Sequence, residues 1–341
     1  MKVDKKLLQH ALEVVRPGLA DKEIIEQTTS FAFMKDRVVT YNDEISISHP
    51  IPGLDLTGAI QADKLYSLLG KLKKDEIEMT LQENEIILEC GRVKVSLAIQ
   101  SEIKLPLDDV SKIGKWHDLP DNFLKFMSFA MASCSRDMSQ PILTTVHVNK
   151  SGFIEASDSN RLTRCQLEKE LPVKTFLIPA QSTADIVKLK PTKIAEGKVP
   201  GWMHFQTNEG TIMSCRIFND DEYKDTSPYL NVEGVEVTFP ASIEEVIDRA
   251  AIFAKREHVL DESIDIKLEK NRLKIHSECT GSKFDEEINM DYKDIPTKFS
   301  IKPYLLKGIL SETKTFILCE TRLKFEGQDW LYITALEDME E

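Results

Sequence analysis

PASIEEVIDRAAIFAKREH, residues 240–258, is the stretch whose reading decides the fold. Pro240 and Ser242 are helix-start residues, and Glu244 and Glu245 put negative charge into the first turn. Lys255 and Arg256 put positive charge at the other end, so both termini suit the helix dipole. Ile243, Val246, Ile247, Ala250, Ala251 and Phe253 recur at helical spacing and predict one apolar stripe.

The pattern has echoes. Weaker versions start near Lys5 (KKLLQHALEVV), Ala62 (ADKLYSLLGKLK), Asp121 (DNFLKFMSFAMA), Ala180 (AQSTADIVKLK) and Ile301 (IKPYLLKGILSE). With the start at Ala241 they step by about 60 residues, the fixed period of an array built from one supersecondary unit. Between them lie short runs rich in β-branched and aromatic residues, among them 37–41, 85–90, 143–149, 161–167 and 323–326. Their period of two, and the Asp, Asn, Pro and Gly that separate them, predict antiparallel strands joined by hairpins. Segments 101–118 and 219–235 break the periodicity and read as linkers. The expected fold is α+β, in three tandem domains at 1–118, 119–235 and 236–341, each a helix-plus-strands unit doubled.

Composition narrows the class. The chain has 341 residues, 41% of them apolar and 30% charged, which is ordinary for a soluble globular protein of two or three domains. No apolar run reaches the ~18 residues a membrane span needs, and charges interrupt the N-terminal stretch where a signal peptide needs an apolar core. The six cysteines are scattered without a CxxC pair, which points to reduced thiols in a cytoplasmic protein. The net charge of −13 argues against nucleic acid as a partner, yet it says nothing about where the signs sit. Lysines and arginines gather on the helix stretches: Lys5 and Lys6; Lys64, Lys71, Lys73 and Lys74; Lys125; Lys188 and Lys190; Lys255 and Arg256; Lys302 and Lys307. Acidic residues gather in connections such as Asp220-Asp221-Glu222, Asp285-Glu286-Glu287 and the tail Glu337-Asp338-Met339-Glu340-Glu341. For any single helix a solvated face explains the charges; six with the same bias predict a segregated field.

Enzyme motifs are absent. There is no GxxxxGK, GxGxxG, GxSxG or HExxH, and the seven histidines are dispersed. His276-Ser277-Glu278 has the HxE form of zinc deaminases, but no PCxxC follows it and it sits in a strand-like alternation. Asp220-Asp221-Glu222 lacks the glycine turn and spaced ligands of a cation loop and reads as solvated. No catalytic residue, metal or cofactor is expected.

One stretch is specific. Residues 152–162, GFIEASDSNRL, resemble the segment of bacterial β sliding clamps, the DNA polymerase III β subunit, that runs from a strand into A-T-D-G-H-R-L. Ala156, Asp158, Arg161 and Leu162 match, Ser157 stands for Thr, and Ser159 and Asn160 replace Gly and His. Pro141-Ile142-Leu143-Thr144 resembles the family's R-P-I-L-T, where a strand begins, and Phe176-Leu177-Ile178-Pro179-Ala180 its V-I-P, where a helix begins. Arg249-Ala250-Ala251-Ile252 resembles R-A-A-I, Phe299-Ser300-Ile301 with Tyr304-Leu305-Leu306 resembles F-N-x-x-Y-L-L, and Trp330-Leu331-Tyr332-Ile333 resembles the last strand. The matches run through all three expected domains in order.

The resemblance implies a non-catalytic processivity factor: a homodimer closing head-to-tail into a ring around duplex DNA, which it holds without sequence preference while tethering the replicative polymerase. A clamp-fold adaptor that stays monomeric, binds protein and does not encircle DNA is the alternative. Carried over residue by residue, the pocket for a short peptide motif of polymerase and clamp loader comprises Leu143, Ser157, Asn160, Arg161, Leu162, Pro228, Tyr229 and Ile333. DNA contacts fall to the loop residues Lys22, Arg136 and Gln140, and to Lys71, Lys74, Lys125, Lys188, Lys255 and Lys302 of the basic stretches. The ring joint falls to Ile252 and Phe253 against Val95 and Leu97. For most of these positions ordinary strand packing is the competing explanation, least so for Arg161. Two departures touch the pocket: the family's terminal M-P-M-R-L is ITALEDMEE here, and its Y-P-D-Y-R-R is Tyr223-Lys224-Asp225-Thr226-Ser227-Pro228. They imply a partner motif different from the host polymerase's, as in a clamp encoded by a phage or mobile element.

Overall fold

A computed structural model describes residues 1–219, 221 and 223–337. Asp220 and Glu222 of the acidic linker cluster, and Asp338 to Glu341 of the tail, lie outside the described residues. The chain forms two compact units: Met1–Ser128 with Val146–Gly152 and Glu168–Asp221, and Phe129–Thr145 with Phe153–Leu167 and Glu222–Glu341.

The first unit holds an eight-stranded antiparallel sheet in the order Leu56–Gln61, Ser30–Lys35, Arg37–Tyr41, Ile45–Pro50, Ile212–Arg216, Trp202–Gln206, Lys193–Glu196, His117–Asp118. Its middle is a pairing of remote sequence, Ser48 opposite Ile212 and Ile45 opposite Cys215. A second sheet of four strands runs Lys2–Asp4, Glu76–Gln82, Glu85–Cys90, Val93–Ala98, which leaves Val93–Ala98 at an edge. The helix Lys5–Val15 starts at Asp4, whose carboxylate accepts from the backbone of Lys6 at 2.7 Å and Leu7 at 3.1 Å, two of the N–H groups a helix start leaves unpaired. Leu8, Ala11, Leu12 and Val15 form its buried stripe. Helices Ala62–Lys71 and Ala180–Leu189 also lie where the period placed them.

In the second unit, six strands stand side by side in the order Phe153–Ser157, Arg161–Gln166, Trp330–Ala335, Arg322–Gly327, Thr315–Leu318, Val235–Thr238. A separate four-stranded sheet runs Ser282–Asn289, Arg272–Cys279, Ile264–Glu269, Thr297–Ile301. Alternation drives both: along Arg272–Cys279 the residues Leu273, Ile275 and Ser277 turn inward while their neighbours face outward. Helix Ile243–Phe253 buries Ile243, Val246, Ile247, Ala250 and Ala251 and packs into one core with Ile266, Leu273, Phe316 and Phe325.

Several expectations need correction. The organising helix stops at Phe253, so Lys255 and Arg256 lie beyond its last turn, and Ser242 makes no side-chain cap. The sixth helix is two short pieces, Pro303–Leu306 and Ile309–Glu312, because Lys307 between them is extended at ψ 135° and Gly308 sits at φ +88°, where the right-handed helix cannot continue. Pro141–Thr144 forms a short 3₁₀ turn and the strand begins only at Thr145. Linker segment 101–118 is itself packed, with Leu105 and Val110 buried with Ala32, Tyr41 and Trp202. The Gln27 side chain there donates to Gln100 at 2.7 Å and to the carbonyl of Glu102 at 2.8 Å, and accepts from the backbone of Lys104 at 2.8 Å.

Candidate partner-binding site

All eight pocket positions fall in the second unit. The hairpin Phe153–Ser157 to Arg161–Gln166 turns through Asp158-Ser159-Asn160. Asp158 makes that turn: its Oδ1 accepts from the backbone N–H of Asn160 and of Arg161, each at 3.0 Å. Ser159 sits at φ +74°, the left-handed region, where the family motif has glycine. Ser157 Oγ donates to the Arg161 carbonyl at 2.7 Å and closes the loop.

Arg161 is held in place from two sides. Its Nε donates to Asp158 Oδ2 at 2.9 Å, its guanidinium lies 5.2 Å from the Tyr304 ring centre, and only 14% of its side chain is exposed. Leu162 and Ile333 are opposite each other on paired strands and both buried, so they form a floor rather than a surface. Leu143 is half-buried, and its carbonyl accepts from the Ser135 backbone at 2.7 Å. Asn160 is half-buried, and its carbonyl accepts from the Ala335 backbone at 2.8 Å. Pro228 and Tyr229 are exposed on the short 3₁₀ turn Ser227–Tyr229.

A buried polar network pins the segment that carries that turn. Arg164 donates to Glu155 Oε2 from Nε at 2.7 Å and to Thr226 Oγ1 from Nη2 at 2.7 Å, while Thr226 Oγ1 donates to the same Glu155 oxygen at 2.7 Å. The Arg164 guanidinium also lies 4.4 Å from the Phe153 ring centre. The surroundings are dry: burial pushes the Cys134 thiol up to about 12 and the Tyr304 phenol up to about 12, and raises Tyr223 and Tyr332 as well. Cys134 is therefore an un-ionised, unreactive thiol at neutral pH.

The sequence reading missed Arg322, Tyr304, Arg164 and Thr226. Tyr304 and Thr226 lie within motifs the sequence offers, without a role of their own. Arg322 and Arg164 carry no sequence signal, since Tyr229 is 93 residues from Arg322 and Thr226 is 62 from Arg164 along the chain.

The cations expected to meet DNA divide into two groups. Lys22, Lys71, Lys74, Lys125, Arg136, Lys188 and Lys255 are exposed, as is Gln140. Lys302 is engaged: its Nζ donates to Glu337 Oε1 at 2.6 Å and to the Leu260 carbonyl, and its side chain is 16% exposed. The basic-stripe expectation also weakens elsewhere. Lys6 pairs with Asp75 at 3.3 Å and Lys307 with Asp248 at 2.9 Å. Helix Ile243–Phe253 exposes Glu245 and Asp248 beside Arg249, whose guanidinium is held by Glu286 at 2.7 and 2.9 Å.

At the expected joint, Ile252 is 66% exposed and Phe253 stacks on Phe284 with centroids 5.5 Å apart. Val95 and Leu97 are half-buried on the edge strand Val93–Ala98. Among the described residues, no group of three or more His, Cys, Asp or Glu side chains is placed to hold a metal, and no helix is long and apolar enough to cross a membrane. His276 meets Asp285 at 2.8 Å on a strand pair, not a ligand set.

The fold is that of a DNA sliding clamp, over essentially the whole chain. The DNA polymerase III subunit beta of Pseudomonas aeruginosa superposes with a TM-score of 0.85 at 14% identity, covering 99% of this chain and 100% of that one. The DNA polymerase III beta chain of Streptococcus pneumoniae gives 0.86 at 17% identity, and the sliding clamp of Bacillus subtilis gives 0.86 at 17%, each covering 99% of both chains. Neither a family model nor a curated protein sequence matches the chain.

Proposed function

We propose that this chain is a divergent bacterial-type β sliding clamp: a non-catalytic, cytoplasmic processivity factor that encircles duplex DNA as a homodimer and tethers a replicative polymerase. The carrying observation is the full-length likeness to DNA polymerase III β chains, at TM-scores of 0.82–0.86. Its three domains are 1–118, 119–235 and 236–341, and it needs no cofactor. A ring suits the exposed sheet edges. Strands Val93–Ala98 and Ser282–Asn289 each pair on one side only, and an unpaired edge is a liability unless something covers it. Closure head-to-tail pairs one edge with the other and buries Ile252 and Phe253 against Val95 and Leu97 of a second copy.

DNA is held through phosphates by Lys22, Lys71, Lys74, Lys125, Arg136, Lys188 and Lys255 with Gln140, a sequence-independent and salt-sensitive grip that allows sliding. Lys302 is left out of this set because Glu337 already holds it. Polymerase and loader dock by a short peptide on the surface that includes Leu143, Pro228 and Tyr229 over the Leu162–Ile333 floor. The adaptor reading draws on the acidic residues Glu245 and Asp248 exposed on helix Ile243–Phe253, where a DNA-facing helix needs cations.

Retention on DNA separates the two. The protein is loaded with a compatible clamp loader onto a nicked circular plasmid, isolated in high salt, and the DNA is then linearised. Retention on the circle and release from the linear form is the expected result. A folded monomer that never stays on closed DNA establishes the adaptor, and equal salt-sensitive binding to both forms overturns the ring.

A further inference from the structure

Strand Val235–Thr238 is the last of its sheet and pairs on one side only, with Thr315–Leu318. The Phe239 N–H donates to the Lys314 carbonyl at 2.9 Å, which fixes the alternation along the pair. Every second residue of an antiparallel pair bonds inward, so Val235 and Val237 bond to Leu318 and Phe316. Glu236 and Thr238 turn their N–H and C=O groups to the open side, where they meet no protein partner among the described residues. Three other sheet-ending strands are covered there by a bridge: Leu56–Gln61 by Gln100, Phe176–Pro179 by Phe218, and Thr297–Ile301 by Glu337. Lys2–Asp4 and His117–Asp118 also end sheets, but with only three and two residues. A cleft of about 510 Å³ lies between residues 236–240 and 289–294. Consecutive residues 236–240 line it and Thr315–Leu318 do not, so it follows the open side of the strand. Its charge is acidic. Glu236, Asp291 and Asp294 line it against Lys293, which Asp291 already holds at 3.1 Å.

We propose that this edge takes an extended, lysine- or arginine-bearing segment of a partner protein as an added strand. The proposal goes beyond the clamp reading and does not depend on it. The outward N–H and C=O groups of Glu236 and Thr238 supply the main-chain hydrogen bonds that strand addition uses. Their side chains are exposed on one face of the strand, so alternate residues of an added strand stand next to them. A basic residue there pairs with Glu236 across the strands. The far side of the added strand meets the lip that carries Asp291 and Asp294. Glu236 and Asp294 have no ion-pair partner among the described residues, so both carboxylates are available to it. Charge excludes the occupants this chain could itself supply. A second copy of the edge brings another Glu236 and another acidic lip, and like charges on neighbouring strands repel. The chain's own tail, Glu337-Asp338-Met339-Glu340-Glu341, carries only negative side chains. Nucleic acid is repelled in the same way.

The test uses the full-length protein and the labelled peptide Lys-Val-Lys-Val-Lys-Val-Lys, acetylated and amidated so that no terminal charge intrudes. Binding is read by fluorescence anisotropy at about 0.15 M salt. Lys-Pro-Lys-Pro-Lys-Pro-Lys keeps the charge but cannot pair as a strand. The lysine–valine peptide should bind about tenfold more tightly than the lysine–proline one, and a glutamate–valine counterpart should not bind. The double variant E236K/D294K should weaken lysine–valine binding about tenfold. T238P should do the same, because it removes an outward N–H without touching the pairing to Thr315–Leu318. Amide exchange at Glu236 and Thr238 should slow when the lysine–valine peptide is bound. If T238P does not fold, E236K/D294K and the exchange measurement decide. Equal binding of the lysine–valine and lysine–proline peptides means charge attraction without strand addition and overturns the proposal. Binding that either folded variant leaves unchanged overturns it too, as does a lysine–valine peptide that never binds.

Discussion

Arg164 and Glu155 meet at 2.7 Å across neighbouring strands, with Glu155 only 1% exposed and Thr226 bonded to both. The sheet thus reaches out and fastens the segment that carries Pro228 and Tyr229. A buried charge that loses its counter-charge costs several kcal/mol. Arg164→Met should lower the unfolding free energy by about 3 kcal/mol, and Thr226→Val by about 1 kcal/mol, both read from urea midpoints. The double variant Arg164→Met with Glu155→Leu should recover much of the first loss.

Ser159 holds a left-handed conformation that costs a residue with a Cβ roughly 1 kcal/mol. Ser159→Gly should therefore stabilise the protein by up to about 1 kcal/mol in the same titration. A loss of stability would mean that the Ser159 side chain contributes more than the strain it carries.

Among the exposed cations, each neutralising change to Gln at Lys71, Lys74, Lys125 or Lys188 should lower the slope of log affinity for duplex DNA against log salt by about 0.9. Lys302→Gln should leave that slope alone. It should cost about 1.5 kcal/mol of stability instead, because its ammonium serves Glu337 and Leu260.

Ile252→Asp places a charge at a largely exposed apolar position on the proposed ring joint. Sedimentation should then show the 38.8 kDa monomer where the parent chain sediments at twice that mass. An unchanged mass, or a parent that is itself monomeric, counts against the joint.

His204 is fully buried, its Nδ1 is 2.7 Å from Ser214 Oγ, and burial holds the imidazole down at about 4 against the ordinary 6.5. Unfolded, the ring takes up a proton below 6.5; folded, it does so only near 4. Stability from this group is complete above 6.5 and is lost as the pH falls from there toward 4, by about 3 kcal/mol in all. His204→Met should flatten the dependence of stability on pH across that window. Because His49 is also pushed down by burial, some slope should persist.

Helix positions were legible where an amphipathic stripe ran uninterrupted, as in Lys5–Val15 and Ile243–Phe253. They were misjudged where the backbone turned, as at Lys307 and Gly308, because a stripe of apolar residues does not report φ and ψ. The site was legible only in part. Asp158 and Arg161 stood out as a motif, and the structure shows that Asp158 also builds the turn that carries Arg161.

The sequence by itself determined the period of about 60 residues, the helices and most strands, since those follow from local alternation of apolar and polar residues. Tertiary structure alone decided which charges are free. Lys302 and Arg322 look alike in the chain, yet one is claimed by Glu337, 35 residues on, and the other rests on Tyr229, 93 residues back. Coulomb attraction and hydrogen bonding act over a few ångströms of space, so strand pairing, rather than neighbourhood in the sequence, sets which partners meet.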